Sequence, residues 1–386
     1  MKLNLKRREY ANTYFDYSLL FMIFFLIGFG LIMIYSASAY DAAISSNSNN
    51  DPAFYLKKQA AAAILGIVVM LVVSRIDYHF WERFAVIGYV VSVILIGLVL
   101  SPLGMEINGA RRWLNLGISV QPAEIAKLAM VLFLATLICH MKKGIRTKKG
   151  FWLVLLSPAP ICVMVWKITN NLSSAIIIFG IAVLMLFVAS PEYKIFFLMG
   201  GGVAALAGIV VLAITKIDSL AKLGFRSARI LAWLNPESDP ANKGFQTLQS
   251  LYAIGSGGIF GKGLGQSMQK LGFLPEEQND MIFSIICEEL GLVGAAFVML
   301  MFIIILWRFM VIANNAPDLF GALLVVGVLG HIAIQVILNI AVVTNTIPNT
   351  GISLPFISYG GTSVLFLMIE IGLVLSVGRG IKLRRL

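Results

Sequence analysis

The sequence predicts an all-α polytopic membrane protein, and the first reason is its composition. Of 386 residues, 59% are hydrophobic and 13% are charged, and the mean hydropathy is +0.89. A soluble domain carries about 25% charged residues. Apolar runs close to the roughly 20 residues that cross a bilayer core recur along the chain. They predict about ten transmembrane helices, near residues 17–38, 59–74, 80–100, 122–139, 151–168, 172–190, 195–216, 281–311, 318–343 and 356–378.

The distribution of basic residues predicts the orientation of these helices. The chain begins with a basic tail, Lys2, Lys6, Arg7 and Arg8, and with this tail 17 of the 30 Lys and Arg residues fall in segments on the same side. The short outer loops hold five, which are Lys57, Lys58, Arg111, Arg112 and Lys167. Segments rich in Lys and Arg stay in the cytoplasm, so we expect both termini to be cytoplasmic and the first apolar run to be a retained anchor. The whole chain has a net charge of +11. Its cation-rich inner face suits anionic membrane lipids, and no nucleic-acid partner is expected.

The long segment 218–280 lies between the seventh and eighth predicted helices, and the orientation places it outside as one large extracytoplasmic loop of a single domain, 1–386. Its first part mixes apolar residues with Lys222, Arg226 and Arg229, which predicts an amphipathic helix on the membrane surface. Its Gly-rich later part lacks the spacing of a P-loop or of GxGxxG. We expect that backbone to pack closely against a ligand or a neighbouring helix.

Two shorter outer segments complete the organisation. Residues 101–121 are too polar to span a membrane and too apolar to lie free in water, so we place them at the outer interface. Residues 344–355 are rich in Pro, Asn, Thr and Gly. No internal repeat is detectable, which weakens the case for an inverted-repeat transporter.

Ionisable residues inside predicted helices are functional candidates, because burying a charge in a membrane is costly. Glu124 and Lys127 lie three residues apart on one helix face and can pair. This pair has two interpretations. It is purely structural, or Lys127 joins Arg111 and Arg112 in a cationic pocket for a phosphate-bearing substrate.

Three further carboxylates fall inside predicted helices, at Glu288, Glu289 and Glu370. No cation lies beside them in the sequence. We expect them to pair across helices with Lys127 or an arginine, or to bond buried polar groups such as Gln335 and Asn339.

Asp280 stands where the long outer loop meets the eighth helix. Aspartate is a favoured N-cap, because it accepts hydrogen bonds from the first backbone N–H groups of a helix. A carboxylate held there by a rigid helix could also serve as a general base at the outer surface. The pattern alone leaves both interpretations open.

Four motifs occur in order along the chain and together resemble those of the SEDS family (shape, elongation, division and sporulation), the FtsW, RodA and SpoVE proteins. They are Asn108-Gly-Ala-Arg-Arg-Trp-Leu114, Gln121-Pro-Ala-Glu-Ile-Ala-Lys127, Gly261-Lys-Gly-Leu-Gly-Gln-Ser267 with Phe273-Leu-Pro-Glu-Glu-Gln-Asn-Asp280, and Pro355-Phe-Ile-Ser-Tyr-Gly-Gly361. The resemblance runs from the first predicted helix to the tenth.

The resemblance implies a peptidoglycan glycosyltransferase that polymerises lipid II, a disaccharide-pentapeptide carried on undecaprenyl pyrophosphate, outside the membrane. It implies that Asp280 is essential and is the base. It also implies substrate-binding roles for a wider set of residues: Arg111, Arg112, Glu124, Lys127, Gln246, Lys262, Ser358, Gly360 and Gly361.

The implied chemistry suits these residue types. The acceptor GlcNAc 4-hydroxyl attacks C1 of the donor MurNAc, and a hydroxyl needs a carboxylate base at neutral pH. The leaving pyrophosphate gathers negative charge, which arginines, Lys127 or a Mg or Mn ion would stabilise. Arg226 and Arg229 are further candidates, and no metal-ligand set is predicted.

The sequence departs from the family pattern at three places. Asn170-Asn171-Leu172-Ser173 stands where many relatives have an acidic motif, so no carboxylate can act there. Asn345 occupies a turn position often held by Gly, a change to which we attach no consequence. Ser353-Leu-Pro355 favours the division and sporulation branch over the elongation branch.

The resemblance also implies partners and a location. We expect a single-pass class B penicillin-binding protein, divisome proteins and membrane lipids as partners, at the septum of a bacterial cytoplasmic membrane. Three alternatives remain open: a lipid II flippase, an elongation-type RodA-like polymerase, and a scaffold that only recruits a synthase.

Overall fold

The computed structural model describes residues 15–381, apart from 108, 116, 118, 192, 217–224 and 239–243. In this part of the chain the protein is a bundle of helices with one small sheet. The helices are α1 (Tyr17–Ile44), α2 (Phe54–Arg75), α3 (His79–Glu82), α4 (Ala85–Leu98), α5 (Pro122–Met141), α6 (Lys148–Leu156), α7 (Ala159–Ile168), α8 (Leu172–Ala189), α9 (Tyr193–Lys216), α10 (Phe225–Leu234), α11 (Phe245–Gly257), α12 (Ile282–Asn314), α13 (Leu319–Val343) and α14 (Gly361–Arg379).

Nine helical segments in the described residues are long and apolar enough to cross a membrane, with α6 and α7 together forming one of them. The tenth predicted span, 80–100, is divided between the short α3 and the apolar α4, which has 14 residues. The prediction of a polytopic helical membrane protein is therefore confirmed. The predicted cytoplasmic tails 1–14 and 382–386 lie outside the described residues, so their orientation stays a prediction.

Two predicted helix starts are wrong. The second helix begins at Phe54 instead of 59, so Lys57 and Lys58 lie within its first two turns. The last helix begins at Gly361 instead of 356, because residues 355–360 turn back towards the loop that precedes α12. Their apolar side chains are buried in that turn, and their hydropathy resembles that of a membrane span.

The bundle is centred on α5, α13 and α14, whose residues are the most buried of the long helices. Helix α14 packs along α2, α13 packs on α12 and α8, and α4 packs on α5. Helix α9 lies at the outside and its described side chains are exposed or half-buried. The apolar exterior of the bundle is the surface that a bilayer would cover.

Residues 101–121 form a small antiparallel sheet of β1 (Gly104–Ile107), β2 (Ala110–Asn115) and β3 (Ser119–Val120). Met105 pairs with Trp113, and a register shift follows between Met105 and Glu106. Inter-strand hydrogen bonds satisfy the backbone of a segment that is too polar to span the membrane. The sheet leads directly into α5, whose first residue is Pro122.

Helix α12 is interrupted at Gly291, whose φ of 68° and ψ of −166° are not helical. The Gly-rich segment that follows α11 runs beside this break. Lys262 N–H donates to the carbonyl of Glu288 (2.9 Å), and Leu292 N–H donates to the carbonyl of Gly258 (3.0 Å). Backbone groups that the break releases from the helix are therefore bonded by the loop.

Two glycines permit this close approach. A Cβ at Gly257 would overlap the carbonyl of Cys287, and a Cβ at Gly261 would overlap the carbonyl of Glu289. Gly261 also has a φ of 79°, which a side chain disfavours. The expectation that the Gly-rich backbone packs against a neighbouring helix is confirmed.

Candidate active site

Asp280 lies just before α12, at the end of the bundle where residues 344–360 also turn; we call this the Asp280 end. Its side chain is only 9% exposed. The N-cap of α12 is Met281, without a side-chain capping bond, so Asp280 is not a helix cap. Its Oδ1 is buried and accepts no hydrogen bond from any residue that the structure describes. That oxygen can therefore accept a proton from a substrate hydroxyl.

The backbone beside Asp280 is held by the turn before α14. Ser358 Oγ donates to the carbonyl of Asn279 (2.6 Å) and accepts from Leu354 N–H (2.7 Å). Tyr359 N–H donates to the carbonyl of Gln278 (2.9 Å). Ser358, for which the family resemblance implies substrate binding, is thus bonded to the backbone of the loop that carries Asp280.

Gln59 on α2 is a residue that the sequence analysis missed. Its buried amide donates to the carbonyl of Ser358 (3.2 Å) and accepts from Gly360 N–H (3.1 Å). Gly361 begins α14 beside Ala62, one turn further along α2. A polar side chain within an apolar helix was the available signal, because such a group needs a partner in a membrane.

Helices α10 and α11 are also hydrogen-bonded to residues 344–351 at the Asp280 end. Gln246 Nε2 donates to the carbonyl of Pro275 (3.2 Å), and its Oε1 accepts from Asn349 Nδ2 (2.7 Å). Arg229 on α10 donates to the carbonyl of Asn349 (3.1 Å). Its positive charge also lowers the pKa of Asp280, so Arg229 lies near the carboxylate.

Helix α10 is more than a surface helix. Trp233 Nε1 donates to the carbonyl of Asn345 (2.9 Å), and Asn345 Nδ2 donates to the carbonyl of Trp233 (3.2 Å). The asparagine therefore has a consequence that we did not expect, because a glycine would lack the amide that bonds α10. Lys222 lies outside the described residues, and the side chain of Arg226 is likewise not described.

Burial sets the acidity of the carboxyls at this end. Loss of water, followed by the negative charge of Glu276, raises the pKa of Asp280 to about 7. Loss of water likewise raises the pKa of Glu277 to about 7, and Asp41 and Glu276 add to the effect. A carboxyl with such a pKa can take up and release a proton near neutral pH.

Arg111 and Arg112 lie on β2, away from direct contact with Lys127. Arg112 Nε donates to the carbonyl of Thr169 (3.2 Å), and its guanidinium also donates to the carbonyl of Asn170 (3.2 Å). Partial burial lowers its pKa from the usual value. Arg111 is exposed. The proposed grouping of both arginines with Lys127 has no contact that supports it among the described residues.

The turn between α7 and α8 carries asparagine and serine side chains and no carboxylate. Asn171 caps α8 by accepting from Ser174 N–H (3.0 Å), and Ser173 Oγ donates to the carbonyl of Thr350 (2.6 Å). The turn is thus hydrogen-bonded both to Arg112 on the sheet and to the loop beside Asp280. These contacts are structural and include no carboxylate.

Glu124 and Lys127 form a buried ion pair, with Lys127 Nζ 2.7 Å from a Glu124 oxygen. Ser363 on α14 donates to the same carboxylate (3.1 Å), and Lys127 donates to Gln335 on α13 (3.3 Å). Lys127 is 1% exposed. The structural interpretation of this pair is therefore the one that the geometry favours.

Glu370 belongs to the same network through His331. His331 Nδ1 lies 2.8 Å from a Glu370 oxygen, and Nε2 lies 2.9 Å from Gln335 Oε1. His331 thus lies between a carboxylate and an amide oxygen that also accepts from Lys127.

Glu288 and Glu289 are fully buried, and each pairs with a lysine of the Gly-rich loop. Lys262 Nζ lies 2.6 Å from Glu288, and Lys270 Nζ lies 2.8 Å from Glu289. The expected pairing across helices with Lys127 or an arginine is wrong, because the loop folds back onto α12. Lys262 is thus engaged by Glu288, and Ser267 also donates to that carboxylate.

The described residues contain no group of three or more His, Cys, Asp or Glu side chains that could hold a metal ion. Asp280 Oδ1 and Asn339 Oδ1 are buried acceptors without a protein partner in that part of the chain. Gln278 Oε1 and Thr350 Oγ1 are further buried oxygens without a partner in the same part of the chain. The possible metal therefore stays a prediction.

Comparison with known proteins decides the family. The FtsW/RodA/SpoVE family model, described as "Cell cycle protein", matches residues 17–382. The chain belongs to this family. It is 39% identical over 366 residues to Stage V sporulation protein E of Bacillus subtilis (strain 168), covering 94% of this chain and 97% of that protein. It is 38% identical to the probable peptidoglycan glycosyltransferase FtsW of Trichlorobacter lovleyi, covering 99% of this chain and 97% of that one.

Solved structures agree with this FtsW/RodA/SpoVE assignment. One chain, from work titled "Structural coordination of polymerization and crosslinking by a peptidoglycan synthase complex", matches with a TM-score of 0.75 and 28% identity, covering 95% of this chain and 98% of that chain. Rod shape determining protein RodA of Thermus thermophilus matches with a TM-score of 0.65 and 25% identity, covering 96% and 98%. The protein is therefore a multi-pass membrane protein of the SEDS type.

Proposed function

We propose that this protein is a peptidoglycan glycosyltransferase that polymerises lipid II on the outer face of the bacterial cytoplasmic membrane, with Asp280 as general base. The observation that carries the proposal is the buried carboxylate at the Asp280 end, whose Oδ1 has no partner among the described residues. Family membership and relatives named as glycosyltransferases support the reaction class.

The reaction is one displacement. The 4-hydroxyl oxygen of one GlcNAc forms a bond to C1 of the donor MurNAc, while the bond from C1 to undecaprenyl pyrophosphate breaks. The hydroxyl proton passes to Asp280, and the bonding electrons leave with the pyrophosphate. A single carboxylate is sufficient for this inverting step. A pKa of about 7 makes Asp280 a stronger proton acceptor than an ordinary aspartate.

The departing pyrophosphate needs positive charge nearby. The positive charge of Arg229 lowers the pKa of Asp280, so Arg229 is our first candidate, and Arg112 on the sheet is the second. Lys127 and Lys262 are less suited, because each already pairs with a buried glutamate. A divalent metal, when bound, would supply the same charge stabilisation.

The polyprenyl chain of the substrate requires an apolar route. A groove of about 800 Å³ lies between α7, α8, α9 and α13 and is almost wholly apolar. It opens towards the exterior, where a bilayer would lie. Its lining includes Trp166, Phe179, Phe187, Met199 and Ile334. We propose that it receives the lipid part of lipid II.

The partner and the cellular role extend the proposal. Similarity to a chain of a synthase complex that joins polymerisation and crosslinking supports a class B penicillin-binding protein as partner. Similarity to FtsW and to a sporulation protein supports work with divisome proteins at a division or sporulation septum. An elongation role like that of RodA is the alternative within the family.

The test compares lipid II polymerisation by purified wild-type protein, Asp280→Asn and the matched exposed control Glu237→Gln, with and without the partner. We expect loss of glycan ladders by at least about 100-fold in Asp280→Asn only. Equal ladders from all three would remove Asp280 from the mechanism. If none makes product with the partner present, the flippase alternative gains support, and lipid II translocation in vesicles is the next assay.

A further inference from the structure

Helix α13 carries a row of three buried polar side chains, His331, Gln335 and Asn339. Their spacing of four residues places them on one face of the helix. Polar groups are costly inside a membrane unless they are bonded. All three make hydrogen bonds, and together they lead from the middle of the bundle to the Asp280 end.

Asn339 lies at the end of this row and bonds the backbone of Asp280 directly. Its Nδ2 donates to the carbonyl of Asp280 (2.8 Å) and to the carbonyl of Ile352 (2.6 Å). Both amide hydrogens are therefore used. Gly351, the neighbour of Ile352, lies beside Oδ2 of Asp280. The Asn339 side chain is therefore bonded both to the backbone of Asp280 and to the loop that faces the Asp280 carboxylate.

Gln335, one turn away, connects this arrangement with the buried charges. Its Nε2 donates to the carbonyl of Ser353 (3.0 Å), so it holds the same loop one residue beyond Ile352. Its Oε1 accepts from Lys127 and lies beside His331. The loop facing Asp280 is therefore bonded through α13 to charged residues of α5 and α14.

We propose that Asn339 is a positioning residue for Asp280, and that Gln335 anchors the same loop to the buried Glu124–Lys127 and His331–Glu370 pairs. This inference rests on the proposed role of Asp280 as general base. In this view the charges within the bundle act on catalysis through backbone placement and never touch the substrate.

The physical argument concerns unsatisfied carbonyls. Without the Asn339 amide, the carbonyls of Asp280 and Ile352 lose their donor, and leaving a buried carbonyl without a hydrogen bond is unfavourable. The backbone would relax by turning these groups towards water. Such a movement shifts the carboxylate of Asp280, and a displacement of about 1 Å can lower a rate about 100-fold. It would also expose the carboxyl to water and change its proton affinity.

The experiment measures kcat, KM and the pH dependence of lipid II polymerisation for wild type, Asn339→Leu, Asn339→Ser and Asp280→Asn. Asn315→Leu, an exposed asparagine at the end of α12, is the matched control. We expect Asn339→Leu to lower kcat about 10-fold to 100-fold with KM nearly unchanged. The acid limb of its pH profile should move to lower pH, because Asp280 gains water. Asn339→Ser keeps one hydrogen-bond donor, so its kcat and its acid limb should lie between those of wild type and Asn339→Leu.

The outcomes separate the two claims. A folded Asn339→Leu protein with wild-type kcat and pH profile overturns the positioning role, while inactivity of Asp280→Asn in the same assay would leave the base in place. Full activity of Asp280→Asn would overturn both. If Asn339→Leu does not fold, Asn339→Ser decides: a lowered kcat with a displaced acid limb supports the proposal, and a wild-type profile overturns it.

Discussion

Lys270 Nζ lies 2.8 Å from a carboxylate oxygen of Glu289, and both side chains are buried. Lys270 belongs to the loop that follows α11, whereas Glu289 belongs to α12. Ser36 on α1 donates to the same carboxylate (2.7 Å). These contacts therefore hold the loop against α1 and α12. Lys270 precedes the segment of the loop that ends in Asp280.

The first prediction concerns the glycine that lets the loop approach α12. Gly261→Ala should destabilise the protein by several kcal/mol, because its φ of 79° is strained for alanine and its Cβ would overlap the Glu289 carbonyl. The matched control is Gly255→Ala, a helical glycine of α11 with open space around its Cβ position. The free energy of unfolding of the Gly255→Ala variant should rise by up to about 1 kcal/mol. Thermal unfolding in detergent tests both, and similar midpoints would contradict the packing argument.

The second prediction concerns the pH dependence of the rate. Burial and the charge of Glu276 raise the pKa of Asp280 to about 7, and a base must be deprotonated to act. Polymerisation should therefore rise as the pH passes through about 7, whereas an ordinary aspartate would already be active above about pH 4. Initial rates of lipid II polymerisation across this range measure the midpoint. A midpoint near pH 4 would show that Asp280 is solvated.

The third prediction concerns stability at Asp280. Its folded pKa lies above the unfolded value of about 3.9, so the folded state binds more protons between about pH 4 and pH 7. Stability should fall as the pH rises through that window. Asp280→Asn removes this penalty, so its thermal midpoint should exceed that of wild type at about pH 8. The gain should vanish near pH 4. An equal gain at both pH values would point to packing instead of ionisation.

The fourth prediction concerns the buried Glu124–Lys127 pair. Lys127→Met leaves Glu124 buried without its cation and should cost about 3–5 kcal/mol. Glu124→Gln combined with Lys127→Met removes both charges and should recover much of that loss. SDS titration in mixed micelles measures the unfolding of each variant, and Lys148→Met at the exposed start of α6 is the control. A double variant as unstable as the single one would show that the two side chains are not coupled.

The sequence by itself was sufficient for the polytopic helical fold, the family resemblance and the candidate at Asp280. Membrane spans can be read from the sequence because the bilayer demands about 20 apolar residues in a row, which is a local property. Asp280 was a candidate because it stands where the long outer loop meets a span, and the family resemblance favoured the general-base interpretation. The amphipathic character of α10 and the close packing of the Gly-rich loop were also predictable from local pattern.

Only the tertiary structure decided between the alternatives. It showed that Met281, not Asp280, is the N-cap of α12. It also showed that Glu288 and Glu289 pair with lysines of the loop, and that Glu370 pairs with His331. Such partners are far apart along the chain, and hydropathy carries no information about which side chains meet. Their pairing depends on how whole helices pack, since a buried charge or amide is stable only where a complementary group reaches it.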